Sequence, residues 1–238
     1  MGRFTRALAT AALLAVGAGC DALPGKPVPD ERYVRPDAVK DFASLYGENC
    51  SGCHGADGRL GPARPLNDPL YLAFASDTDL IRATSQGVAG TTMPAFAISA
   101  GGTLTDQQIA DLVREMRTRW ARPQEVAGVT PPPYAAALGD AQAGAATYAA
   151  SCASCHGKDG AGVAGKAKGS IVDGSYLALV SDQGLRSTVV AGRMDLGMPD
   201  FRGGAGGTPL TATQVADVVA WLAAQRSQFP GRPYPESK

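Results

Sequence analysis

Two five-residue words carry nearly all the metal-binding chemistry of this chain: Cys50-Ser51-Gly52-Cys53-His54 and Cys152-Ala153-Ser154-Cys155-His156. Two thiols three positions apart reach the two vinyl groups of one porphyrin and close thioethers. The His that follows is then held against the iron as an axial ligand. The chain has only two His, both in these words, and four of its five Cys are there too. Other chemistries also use Cys-x-x-Cys. A zinc site needs four ligands brought together, and a thioredoxin-like redox pair does not need the trailing His. The pattern predicts two covalently bound haem c groups, attached through Cys50, Cys53, Cys152 and Cys155, with His54 and His156 on the irons.

Each iron then needs a sixth ligand or an open site. No His is spare, so the soft candidates are Met93, Met116, Met194 and Met198. An internal repeat separates them. Cys50 and Cys152 are 102 positions apart, Tyr71-Leu72-Ala73 and Tyr176-Leu177-Ala178 are 105 apart, and Leu104-Thr105 and Leu210-Thr211 are 106 apart. The second copy has therefore gained its few extra residues in loops, as a duplication should. Tyr71 to Met93 and Tyr176 to Met198 are both 22 residues, whereas Met194 falls opposite Ala89. Met93-Pro94-Ala95-Phe96 and Met198-Pro199-Asp200-Phe201 share a local pattern in which proline holds the Met extended. Met93 and Met198 are the expected axial ligands, and Met116, on the apolar face of a helix, reads as core.

The elements that must position these residues follow the same repeat. Val39, Phe42, Ala43 and Tyr46 keep helical spacing into Cys50, as do Ala143, Ala146, Tyr148 and Ala149 into Cys152. A Gly- and Pro-rich loop follows His54. Helices are expected near 68–74 and from Ser76 or Asp77 to about Gly87, then a loop over 90–102 that carries Met93. Thr105 with Gln108 is a capping box opening the clearest helix, with Ile109, Leu112, Val113, Met116 and Trp120 on one face. Thr211 with Gln214 opens its counterpart, with Val215, Val218, Val219 and Leu222. Residues 121–138, with Pro123 and Pro131-Pro132-Pro133, read as an interdomain linker, and 227–238 as a tail.

Together these residues resemble class I cytochrome c domains: an aromatic-bearing helix before Cys-x-x-Cys-His, a Gly-rich loop, a Met-Pro loop and a closing amphipathic helix. The match covers about 37–120 and 139–226, and the tandem arrangement resembles dihaem cytochromes of the c4 type and dihaem subunits of respiratory complexes. The resemblance implies an all-α fold of two tandem domains, each wrapped around one haem, and electron transfer between partner proteins. It also implies that Pro62 offers its carbonyl to His54. The same count from His156 gives Ala164, so the second His is expected to differ, with the second haem at the higher potential. An aromatic on the last helix should pack on the first. Trp221 suits that role, while its aligned position in the first copy is Glu115, with Trp120 one turn later.

Residues 1–19 read as a secretory leader: Arg3 and Arg6, then a short apolar run. Small residues precede Cys20, which resembles the lipidated Cys of bacterial lipoproteins. Residues 20–36, with Pro24, Pro27, Pro29 and Pro36, then form a tether to a membrane. The expected location is the periplasmic face of the cytoplasmic membrane, with a soluble periplasmic protein as the alternative. The 22 basic and 22 acidic residues balance to zero, which offers nothing to nucleic acid. No run of 18 apolar residues beyond the leader argues for a polytopic membrane protein. With 30 Gly, 17 Pro and 6% aromatics, apolar material is thin for two cores, and haem would supply the rest. The expected partners are redox proteins such as a membrane quinol-oxidising complex, an oxidase or a dehydrogenase, with no small-molecule substrate. The rival reading is a dihaem enzyme, a peroxidase or a thiosulfate-oxidising cytochrome.

Overall fold

The computed structural model of the chain describes residues 33–163 and 169–227. The leader, Cys20, most of the 20–36 segment, Ala164 and nearly all of the tail lie outside them. The described residues form helices and turns and no strand. Their β pairing is limited to two isolated bridges, Ala97 with Leu104 and Arg193 with Met198. The chain divides between Ala38 and Val39, and both repeats lie in the unit that begins at Val39.

The helix order repeats. The first copy runs α1 Phe42–Asn49, α2 Ser51–His54, α3 Pro69–Phe74, α4 Asp77–Gln86 and α5 Asp106–Trp120. The second runs α6 Ala141–Ser151, α7 Ala153–His156, α8 Gly174–Leu179, α9 Asp182–Ala191 and α10 Ala212–Ala224. Apart from α2 and α7, every one of these helices starts at an oxygen cap that accepts a first-turn N–H: Asp41, Asp68, Ser76, Thr105, Asp140, Asp173, Ser181 and Thr211. Capping also explains why α1 begins at Phe42 although the apolar spacing reaches back to Val39. Asp41, immediately before Phe42, takes the Ser44 N–H at 2.8 Å.

In each copy the closing helix lies across the helix that leads into the Cys. In the second copy α6 and α10 meet at Gly144, where a Cβ would fall 2.0 Å from the Asp217 carbonyl oxygen, so only glycine permits the crossing. Leu45, Tyr46, Leu72, Ile109, Leu112, Val113, Met116 and Trp120 form the first core. Ala191 of the second copy is buried in that core as well. A further cluster joins Leu70 of the first copy to Val190, Phe201, Leu210 and Val215 of the second, with Val126 and Val129 of the linker against it. The Pro-rich segment 121–138 is therefore packed. Buried Arg186 donates to the Pro133 carbonyl from Nε at 2.9 Å and Nη2 at 2.7 Å, and Gln183 donates to the Tyr134 carbonyl at 2.8 Å.

Candidate haem-binding sites

The Cys-x-x-Cys-His words occupy single helical turns. Cys50 still donates its N–H to the Tyr46 carbonyl at 2.9 Å, but its φ of −122° ends α1. The Cys53 and His54 N–H groups then both bond the Cys50 carbonyl, at 3.2 and 3.0 Å. Cys152 repeats this with φ −120° and bonds of 3.1 and 3.0 Å from Cys155 and His156. Three positions apart on one turn, each pair of thiols shares a face. The four thiols are free. Burial, then the neighbouring Cys, pushes Cys50 and Cys152 up to about 11.

Each turn is fastened from behind. Tyr46 and Tyr148 donate their hydroxyls to the carbonyls of Gly55, at 2.9 Å, and Gly157, at 2.6 Å. Both glycines have φ +83°, and a Cβ there would lie 1.8 Å from the Arg59 carbonyl oxygen or 2.3 Å from that of Gly162. In the sequence these two tyrosines read only as part of the helical spacing into each Cys, with no role at the site. Their only signal is a shared place four residues before each first Cys.

His54 is oriented by a carbonyl, but not by the expected one. Its Nδ1 stands 2.7 Å from the carbonyl of Arg64, two residues beyond Pro62. The loop is tied at Ala63, whose N–H bonds the Cys53 carbonyl at 3.0 Å, and the next carbonyl is the one that reaches the ring. With Nδ1–H donated there, the Nε2 lone pair is left for a metal. Burial first, and Arg64 and Arg193 as well, lower the His54 pKa and favour the neutral, ligating imidazole. The corresponding stretch of the second copy, 164–168, which holds Ala164, lies outside the described residues.

The two Met-Pro segments sit alike. Gly87 (φ +69°) and Gly192 (φ +72°) end α4 and α9, and a Cβ on either would press on the Met93 carbonyl oxygen at 2.8 Å or the Met198 carbonyl oxygen at 2.6 Å. Val88 and Arg193, the next residues, donate N–H to those same carbonyls at 3.1 and 3.0 Å. Met194 lies on the 3-10 turn Met194–Leu196 and is 62% exposed, while Met116 is 5% exposed in the first core.

Arg64 provides a test of whether haem suits this chain. Its guanidinium lies over the Tyr71 ring at 4.8 Å, and Nη2 donates to Thr188 Oγ1 at 3.1 Å. Nε and Nη1 are buried without a protein partner. A buried cation with unused donors calls for an anion. Haem carries carboxylates on its edge, so the group and the residues fit.

The chain matches the family described as cytochrome c oxidase, cbb3-type, subunit III over residues 37–114 and 139–222. A Rhizobium leguminosarum bv. viciae protein named cbb3-type cytochrome c oxidase subunit FixPc is 29% identical over 191 residues, 76% of this chain and 60% of that protein. The subunit CcoP of Rubrivivax gelatinosus is 31% identical over 155 residues, 64% of this chain and 43% of its own. A protein of Stutzerimonas stutzeri (strain A1501) named thiosulfate dehydrogenase is 30% identical over 150 residues, 58% of this chain and 48% of its own. The chain thus spans about half the length of the curated relatives it matches.

Proposed function

The chain belongs to the cytochrome c oxidase, cbb3-type, subunit III family, and from that premise we propose that it is a dihaem c-type cytochrome passing single electrons between redox partner proteins. Bound haem supplies an iron that alternates between Fe(II) and Fe(III). Cys50 and Cys53 hold one haem and Cys152 and Cys155 the other. His54 with Met93, and His156 with Met198, close the two irons. Tyr46 and Tyr148 fix the attachment turns, and the Arg64 carbonyl sets the ring of His54. Ligands held this rigidly change little with oxidation state, which suits electron transfer and leaves no open position for a substrate.

The observation that carries this reading is that two local arrangements are each built twice: a Cys-x-x-Cys-His turn on a tyrosine-fastened glycine, and a Met-Pro segment seated on a positive-φ glycine. The likeness to a protein named thiosulfate dehydrogenase favours an enzymatic alternative. That chemistry wants an iron that opens, seen as a high-spin signal in the resting protein. For the closed carrier, Met93→Ala and Met198→Ala should each remove about half of the ferric sulfur-to-iron absorption band and lower one potential. Met194→Ala should leave both unchanged. Loss of the band with Met194→Ala and not with Met198→Ala would overturn the ligand assignment.

We further propose that the electron donor or acceptor is a membrane complex, a quinol-oxidising complex, an oxidase or a dehydrogenase, and that Cys20 carries a lipid holding the protein at the periplasmic face. No helix among the described residues is long and apolar enough to cross a membrane. The mass of the mature N-terminal peptide decides the anchor: acyl chains on Cys20 are expected, and an unmodified terminus makes the protein a soluble periplasmic shuttle.

A further inference from the structure

The two Met loops close differently, and the difference crosses the boundary between the copies. The first loop closes on itself. Thr91 Oγ1 donates to the Val88 carbonyl at 2.8 Å and accepts the Met93 N–H at 3.2 Å. In the second copy Leu196 takes the place of Thr91, while Arg193 and Asp195 take those of Val88 and Gly90. Arg193 and Met198 exchange two backbone hydrogen bonds at 3.0 Å each. From the same residue, Nε and Nη2 grip both oxygens of Asp195 at 3.0 Å. Nη2 also donates to the Gly61 carbonyl at 3.0 Å, and Asp195 accepts the Leu60 N–H at 3.1 Å.

Leu60 and Gly61 belong to the loop that follows the first Cys-x-x-Cys-His and leads to the Arg64 carbonyl at His54. We propose that Arg193 and Asp195 are positioning residues that brace the second Met loop against this loop, so that the seating of Met198 depends on the first copy whereas Met93 holds itself. The inference rests on the reading of Met198 as an axial ligand. The Asp195 side chain is 4% exposed and that of Arg193 15%, so solvent and salt screen the pair little. A bidentate guanidinium–carboxylate pair is also directional. Sliding the loop would strand a buried carboxylate, a cation and two backbone groups at once. Leu60 adds an independent sign of constraint. With φ +63° it is the single non-glycine at positive φ among the described residues. Such strain persists where surrounding contacts over-determine it, and here its N–H is the group Asp195 holds.

The test is displacement of Met by imidazole in the ferric, haem-loaded full chain, with Met93→Ala and Met198→Ala identifying which kinetic phase belongs to which haem. Arg193→Ala should speed displacement at the second haem about tenfold and leave the first unchanged. Asp195→Asn should act in the same direction. The double variant should be no faster than Arg193→Ala, because the two side chains act as one unit. Arg193→Lys keeps the charge without the fork, should recover part of the loss, and guards against a variant that fails to fold. Equal rates in wild type and Arg193→Ala, or equal acceleration at both haems, overturn the brace. If Met198→Ala abolishes neither displacement phase, the ligand reading itself fails, whatever the Arg193 variants do.

Discussion

Arg64 serves two sites with two different parts. Its carbonyl fixes the His54 ring, and its guanidinium lies buried between the copies, held by Thr188 and open to an anion. Only the second role has a residue signature. A backbone carbonyl comes from any residue, so the sequence pointed to Pro62, where the family resemblance put it, and the carbonyl that accepts from His54 lies two places on. The counts that single out Met93 and Met198 as the proposed ligands have the opposite kind of cause. A glycine that must sit at positive φ to let Met-Pro cross it fixes the count from Gly87 to Met93 and from Gly192 to Met198. That constraint survives insertions elsewhere, and it agrees with the Tyr71 and Tyr176 counts that set Met198 apart from Met194.

Among the elements, α5 and α10 reach the same ends from different positions. Trp120, the last residue of α5, meets Tyr46 edge-on at 5.1 Å, while Trp221, within α10, stacks on Tyr148 at 4.1 Å. Both serve as the aromatic expected to hold the first helix, although they do not align. The arginines behave likewise. Arg117 donates to the carbonyls of Leu72 and Ala75 and to Asp77, and Arg226 donates to those of Leu177 and Val180 and to Asp182. The acceptors keep the repeat distance of 105, but the donors do not. In each copy a guanidinium satisfies the last carbonyls of a short helix that cannot bond them itself. Arg117→Ala and Arg226→Ala should each cost about 2 kcal/mol in denaturant unfolding of the holoprotein, and the Lys variants should regain less than half, because an ammonium cannot fork. A loss of only a few tenths would mean that water replaces the guanidinium. Periodicity revealed helices, caps and faces. It could not reveal this exchange, because alignment assumes that equivalent work is done at equivalent positions.

For the whole molecule, the repeat suggested two domains on a Pro-rich string, whereas from Val39 onward the copies share apolar clusters. Leu70 and Val190 each lie on a helix of their own copy, and period alone does not say which neighbour covers a face. The linker gave a similarly incomplete signal. Its prolines excluded a helix, but the carbonyls they leave free are the ones Arg186 and Gln183 bind. Two redox sites fixed in one body should behave as one rigid two-electron store, and this is tested most directly by a spectroelectrochemical titration of the full-length holoprotein, with haem counted in the same sample. Two reversible one-electron waves, two covalent haems per chain and low-spin iron in both oxidation states are expected. Fewer than two covalent haems per chain, or a high-spin iron in the resting protein, would contradict the closed dihaem carrier.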